Sequence, residues 1–198
     1  MRGCALHQIS PSVLLTTLLI LCASAFADTA VERVGWPDVT YDPVVPTLES
    51  VLGYAPGDQI TSIEQSHTYL RALLEAQPAR TRLIEYARSW EGRPLVYFLI
   101  GSQQTMSRLD EVKAGMQALA DPAVLSGSEI DALVAGLPAV VWLAYGVHGN
   151  EISATDAGLQ TAYHLLAAQG EPFDSIGDNT LVAIPIQTPI TPNSKTNT

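Results

Sequence analysis

Residues 138–170 read PAVVWLAYGVHGNEISATDAGLQTAYHLLAAQG, and this stretch decides the fold. Its first part, 138–146, is apolar without alternation, which is typical of a strand that is covered on both faces of a sheet. A helical pattern follows, with apolar residues three and four apart, and Gly170 marks its end. The segment 180–186, TLVAIPI, predicts a further buried strand. Strand, helix and strand of these lengths predict a right-handed βαβ unit.

The chain upstream of this unit also predicts alternating strands and helices. Residues 61–77 predict an amphipathic helix, and 82–102 predict two strands joined by a turn that contains glycine and proline. Helical patterns follow at 107–120 and at 128–136. We therefore expect an α/β fold whose sheet is mixed but largely parallel, with helices on both of its faces.

The helix predicted at 61–77 has two possible capping boxes at its start, one from Thr61 and one from Ser62. Its apolar residues fall on one face, and this leaves His67 on the polar side. We do not expect His67 to have a functional role.

The amino terminus has the pattern of a signal peptide over residues 1–27. Arg2 provides a positive start, 13–21 is apolar, and a small-x-small pattern ends at Ala27. The apolar run is only about nine residues, whereas a bilayer span needs about 20. We expect cleavage after Ala27, export to a secreted or periplasmic location, and no membrane association afterwards.

The mature chain divides into three parts. Residues 28–59 are rich in proline and turn formers and predict an extended amino-terminal arm. Residues 60–187 carry the predicted strands and helices and form the domain proper. Residues 188–198 are polar and contain no apolar cluster, which predicts a disordered tail.

Charge and cysteine content exclude several classes of protein. Cys4 and Cys22 both lie in the predicted signal peptide, so the mature chain has no disulfide and no thiolate metal ligand. The formal net charge of −10 disfavours binding to nucleic acid. The chain has no Gly-x-Ser-x-Gly motif and no glycine-rich loop after a strand, which disfavours serine hydrolases and phosphate-binding enzymes. Nothing in the pattern predicts an oligomeric state.

His148 and Glu151 follow the strand predicted at 138–146 and lie three residues apart. In a βαβ unit the loops after both strands meet at the carboxyl edge of the sheet, where ligand sites of α/β folds form. Catalytic zinc usually takes three protein ligands from His, Asp or Glu, and this pair supplies two. Gly149 places no side chain in the way of a metal. The same pair is also consistent with a polar turn whose side chains only satisfy backbone groups.

Two blocks of the sequence together resemble the zinc carboxypeptidases of peptidase family M14. They are SWEGRPLVYFLIGS at 89–102 and AYGVHGNEISATDAGLQTAYHLL at 144–166. The segment 41–83 is similar to the amino-terminal part of secreted bacterial members. The resemblance implies a zinc-carboxypeptidase fold, Zn²⁺ as cofactor, and a peptide or protein as substrate. It also implies that His148 and Glu151 are the first two zinc ligands.

The chain departs from this family after residue 187. The family continues with Asn-Pro-Asp-Gly, whereas residues 188–191 read Thr-Pro-Ile-Thr. The family's third zinc ligand and its general-base glutamate lie further downstream and match no residue here. We therefore expect an incomplete, truncated fold that lacks peptidase activity and exposes the strand at 180–186. The alternative is a non-catalytic exported α/β remnant or a binding protein.

Overall fold

A computed structural model describes residues 35–148 and 151–186 of the chain. The predicted signal peptide at 1–27 and the tail predicted at 188–198 lie outside the described residues. From Asp38 onward the described residues belong to one structural unit. No helix in these ranges is long and apolar enough to cross a bilayer.

Strands and helices alternate along the described part of the chain. Its strands are β1 (Thr40–Tyr41), β2 (Thr81–Arg88), β3 (Pro94–Ile100), β4 (Ala139–Trp142), β5 (Ala168–Gln169) and β6 (Thr180–Ile186). Its α-helices are α1 (Leu48–Leu52), α2 (Ile63–Ala76), α3 (Gln103–Ser107), α4 (Leu109–Ala120), α5 (Gly127–Gly136), α6 (Ile152–Ala167) and α7 (Phe173–Asn179). The α/β class expected from the sequence is confirmed.

The main sheet has the strand order β2-β3-β6-β4 and is mixed, as expected. β2 pairs with β3, and β3 pairs with β6, in antiparallel fashion, whereas β4 pairs with β6 in parallel. The expectation of largely parallel pairing was wrong for the described strands. The reason is the hairpin between β2 and β3, where Gly92 has a φ of 77° and its N–H donates to the carbonyl of Ser89 at 2.8 Å. β6 then joins the far side of β3 in the direction opposite to it.

The predicted βαβ unit is present as β4, α6 and β6. The parallel register runs from Ala139 opposite Thr180 to Trp142 opposite Ala183. The chain continues alongside β6 beyond β4, because Tyr145 forms a parallel bridge with the last residue of that strand. The loop that follows therefore starts at the carboxyl edge of the parallel pair, as the sequence predicted.

Helices cover both faces of the sheet, also as expected. On one face Leu99, Leu181 and Ala183 form a buried cluster with Met106 of α3 and Val112 of α4. Side chains of β3 and β6 alternate between the two faces, so the residues next to Leu99, Leu181 and Ala183 in the sequence point to the opposite face.

On that opposite face α2 and α6 lie against the sheet and contact each other. Phe98 and Ile184 of the sheet are fully buried, as are Leu70 of α2 and Leu159 of α6. Burial of such side chains contributes about 1.5–3 kcal/mol each to folding. The core thus lies on both sides of β3 and β6, the two central strands.

β4 is an exposed edge strand, and the expectation of a strand covered on both faces was wrong. All four of its residues are exposed, with Val140 at 48% and Trp142 at 58%. β6, which we expected to be the exposed edge, lies between β3 and β4, and six of its seven residues are buried. The difference arises because, among the described residues, β4 has a strand neighbour only on its β6 side.

Several helix boundaries differ from the sequence expectation because different residues cap them. Ser62 forms the capping box of α2, which was one of the two predicted alternatives. α5 is capped by Ser126 rather than by Ser128. The helix predicted at 107–120 is α4, which begins two residues later at Leu109, and the short helix α3 before it was not predicted.

The segment before α2 is held to the domain by tyrosines. Tyr41 stacks on Tyr163 of α6 with 5.5 Å between ring centroids, and its hydroxyl forms a 2.9 Å hydrogen bond with Nδ1 of His164. The Tyr54 hydroxyl donates to Oγ1 of Thr61 at 3.0 Å. The segment is not extended throughout, because it also contains α1.

Replacing Val140 with lysine should reduce self-association without unfolding the chain. An apolar, unpaired edge strand is a template for pairing with a second molecule, and a lysine on the edge opposes that contact. Light scattering at increasing protein concentration measures the effect. Val124→Lys is the matched control, since Val124 is 87% exposed but lies outside the sheet. Equal self-association of both variants would contradict the role of the edge.

Candidate metal centre

The structure brings His148 and Glu151 together at the carboxyl edge of the β4–β6 pair. Nδ1 of His148 lies 3.0 Å from Oε1 of Glu151. Both side chains are open to solvent, with 69% of the histidine and 56% of the glutamate exposed. Gly149 and Asn150, which join them, lie outside the described residues. The pair is therefore accessible to a metal and to a substrate from solution.

The start of α6 explains why the Glu151 carboxylate is available. Glu151 occupies the N-cap position with φ −88° and ψ 70°, but its side chain makes no capping hydrogen bond. The backbone closes the turn instead: the Glu151 N–H donates to the His148 carbonyl, and the Ala154 N–H donates to the Glu151 carbonyl, both at 3.1 Å. The partial positive charge at a helix N-terminus favours a carboxylate in this position.

Tyr145 fixes the direction in which the chain enters this loop. Its N–H donates to the carbonyl of Pro185 at 3.3 Å, and its hydroxyl hydrogen-bonds Oγ1 of Thr161 at 3.0 Å. Its ring lies so close to Gly158 that a Cβ there would be 3.1 Å from two ring atoms. Tyr145 thus ties the loop both to β6 and to α6, and sequence reasoning missed this role. The available signal was a glycine inside a helix, where it costs about 1 kcal/mol relative to alanine.

The two donor atoms fit part of a zinc site. A neutral imidazole nitrogen and a carboxylate oxygen are ligands that zinc takes, and two ligands of a tetrahedral zinc lie about 3.4 Å apart. The observed 3.0 Å between Nδ1 of His148 and Oε1 of Glu151 is close to that separation. Within residues 35–148 and 151–186 no group of three or more His, Cys, Asp or Glu is arranged to hold a metal.

The other described histidines do not join the pair. His164 is engaged by the Tyr41 hydroxyl, and burial lowers its pKa. His67 is only 7% exposed, so its expected place on the polar side of α2 was wrong. The reason is that this side of α2 faces the β2–β3 hairpin rather than solvent, and His67 and Glu85 of β2 border the same cleft.

Comparison with known proteins identifies the family. Residues 66–187 match the sequence profile of zinc carboxypeptidases, peptidase family M14, over more than half of the chain. The chain belongs to the zinc carboxypeptidase family. The matched range contains His148 and Glu151, and the family resemblance that the sequence suggested is confirmed.

Solved structures that match include carboxypeptidase A from Helicoverpa armigera, with 19% sequence identity and a TM-score of 0.45. The match covers 86% of this chain and 31% of that one, so the chain spans less than a third of the length of the solved carboxypeptidase. None of the curated proteins matches the chain.

Gly158→Ala should destabilise the chain by about 1 kcal/mol, because the added methyl group meets a ring that Thr161 holds in place. Overpacking costs about 1–3 kcal/mol, and the better helix propensity of alanine returns about 1 kcal/mol. Urea denaturation measures the change. Gly127→Ala, where a Cβ meets nothing within 4 Å, should be neutral or stabilising. An equally neutral Gly158→Ala would show that the tyrosine ring moves freely.

Proposed function

We propose that this chain carries part of the active site of a metallocarboxypeptidase, with His148 and Glu151 as two ligands of a catalytic Zn²⁺. Family membership supports the class of enzyme. The observation that carries the assignment of residues is the 3.0 Å approach of Nδ1 of His148 to Oε1 of Glu151 at the carboxyl edge. Peptides or proteins with a free carboxyl terminus are the proposed substrates.

Each of the two residues has a defined task in this proposal. His148 binds through a ring nitrogen, and Glu151 binds through its carboxylate at the N-terminus of α6, because metal ligands bind in their deprotonated form. Tyr145 positions both by fixing the entry to the loop. When bound, Zn²⁺ supplies Lewis-acid activation of water and of the scissile carbonyl group. The exposure of the pair lets an extended peptide approach from solution.

The proposal also covers the zinc affinity of the 198-residue chain by itself. Its described residues provide two of the three protein ligands that a catalytic zinc usually has. Structural four-ligand sites bind zinc with about 10–16 kcal/mol, or roughly 3 kcal/mol per ligand. Two ligands should therefore bind zinc roughly two orders of magnitude more weakly than three. We also propose export of the protein, supported by the signal-peptide pattern at 1–27.

Zinc binding tests the assignment of the two ligands. The chain should bind zinc weakly, and His148→Ala and Glu151→Gln should each reduce the affinity by roughly a hundredfold, about 3 kcal/mol per ligand. Affinity should also fall as the pH is lowered, because protons compete for the imidazole. Equilibrium dialysis with metal analysis measures this.

The matched controls are His164→Gln and Glu171→Gln, which replace the same residue types elsewhere in the chain and should not change the affinity. A single zinc that survives dialysis against buffer would contradict the two-ligand site. Weak binding that persists in both ligand variants would contradict the choice of residues.

An activity assay tests whether the 198-residue chain hydrolyses peptides by itself. The 198-residue chain, supplied with zinc, should release no carboxyl-terminal amino acid from N-blocked dipeptides above the background of a chelator-treated sample. The physical reason is that two ligands hold the metal too weakly to keep the site occupied. Hydrolysis that both a chelator and Glu151→Gln abolish would show instead that the chain supplies a complete site. Peptide binding without zinc would favour the alternative, a non-catalytic binding protein.

A further inference from the structure

A cleft of about 420 Å³ lies between α2 and the β2–β3 hairpin, apart from the His148–Glu151 pair. Its walls are formed by one face of α2 and by side chains of both hairpin strands. Its size is at the lower end of the range of small-molecule sites, about 300–1,000 Å³. It therefore suits a ligand of the size of an amino acid or a dipeptide.

The first observation that points to a ligand is a buried histidine in the wall of the cleft. His67 is 7% exposed, and its Nε2 is shielded from solvent and has no hydrogen-bond partner. An unpaired buried polar atom is unfavourable, so such atoms require an explanation. Burial lowers the pKa of His67, and the positive charge of Arg71 acts in the same direction. His67 thus places an imidazole with an unpaired nitrogen atom in the wall of the cleft.

The second observation is the pattern of charge around the same space. Arg71 lies one helical turn after His67, and Glu75 lies one turn further along the same wall. Neither forms an ion pair within the described residues. Glu85 adds a carboxylate from the facing β2, where Arg88 pairs with it at 2.8 Å. A ligand in this cleft meets a positive group and negative groups about one helical turn apart.

The rest of the lining is apolar. Leu74 of α2, Leu83 of β2, and Pro94 and Val96 of β3 complete the wall. These side chains offer a hydrophobic surface but no further hydrogen-bonding group. A ligand that matches the cleft therefore combines two opposite charges with an apolar body.

We propose that this cleft binds a small zwitterion with an apolar side chain, such as a free aliphatic amino acid. The carboxylate of the ligand lies at Arg71, its ammonium group lies at Glu75 and Glu85, and its side chain packs on Leu83 and Val96. The inference goes beyond the proposed function and does not depend on it, because no residue of the zinc pair lines the cleft.

A ligand series tests the proposal one group at a time, using NMR titration of the whole chain with chelator present. L-leucine carries both charges, 4-methylpentanoate lacks the ammonium group, and 3-methylbutylamine lacks the carboxylate. Leucine should bind at least about tenfold more tightly than either analogue, since each analogue lacks one charged group that hydrogen-bonds the cleft. Equal affinity for all three compounds, or no binding of leucine, would overturn the proposal.

Variants locate the binding. Arg71→Gln should weaken leucine binding about tenfold and leave 3-methylbutylamine unaffected, because only the carboxylate contact is lost. Lys113→Gln on α4 is the matched control, since Lys113 is exposed and lies on the helix that packs on the other face of the sheet. The imidazole signals of His67 should shift on addition of leucine, whereas those of His148 should not. Leucine binding that survives Arg71→Gln unchanged but is lost in His148→Ala would place the ligand at the zinc pair and refute the inference.

Discussion

The parallel pairing of residues 139–145 with β6 is the constraint on which the rest of this structure depends. The N–H groups of Leu143 and Tyr145 continue the hydrogen-bond pattern to the carbonyls of Ala183 and Pro185 after β4 itself has ended. Two parallel strands require a long crossover connection, and α6 is the longest element of that connection. Because the crossover must start where β4 ends and return to the start of β6, the turn before α6 has to lie at the carboxyl edge. This path of the chain places the turn that contains His148 and Glu151 at the carboxyl edge.

The His148–Glu151 pair and the cleft beside α2 differ in exposure and share no lining residue. The His148–Glu151 pair is exposed, and backbone hydrogen bonds close its turn, so neither side chain is needed to close it. The cleft between α2 and the β2–β3 hairpin has a buried histidine with opposite charges around it. We propose a metal ion for the first arrangement and an organic zwitterion for the second. The two arrangements differ because the His148 side chain is exposed to solvent, whereas the His67 side chain is buried.

Much of the fold could be predicted from the sequence where neighbours along the chain decide it. The bounds of β6, the presence of a capping box at the start of α2 and the order of elements in the βαβ unit follow from local patterns. The choice of Ser62 over Thr61 as the cap does not. The prediction failed for β4, whose apolar run resembles that of a covered strand. An apolar run reports the chemistry of a segment but not which strands lie beside it. The prediction that His67 lies on the polar side of α2 failed for the same reason. The hairpin that covers His67 is a different segment of the chain, and the pattern of the helix contains no information about it.

The sequence by itself determined the family, the α/β class, and the spacing that places His148 and Glu151 on one turn. Only the tertiary structure decided that the sheet is mainly antiparallel in its described strands, that β4 is its edge, and that Tyr145 anchors the loop between Gly158 and β6. Spacing and capping act through local backbone geometry, which a short window of residues contains. Strand neighbours and burial depend on contacts between segments far apart in the chain, and the free energy of those contacts has no local signature.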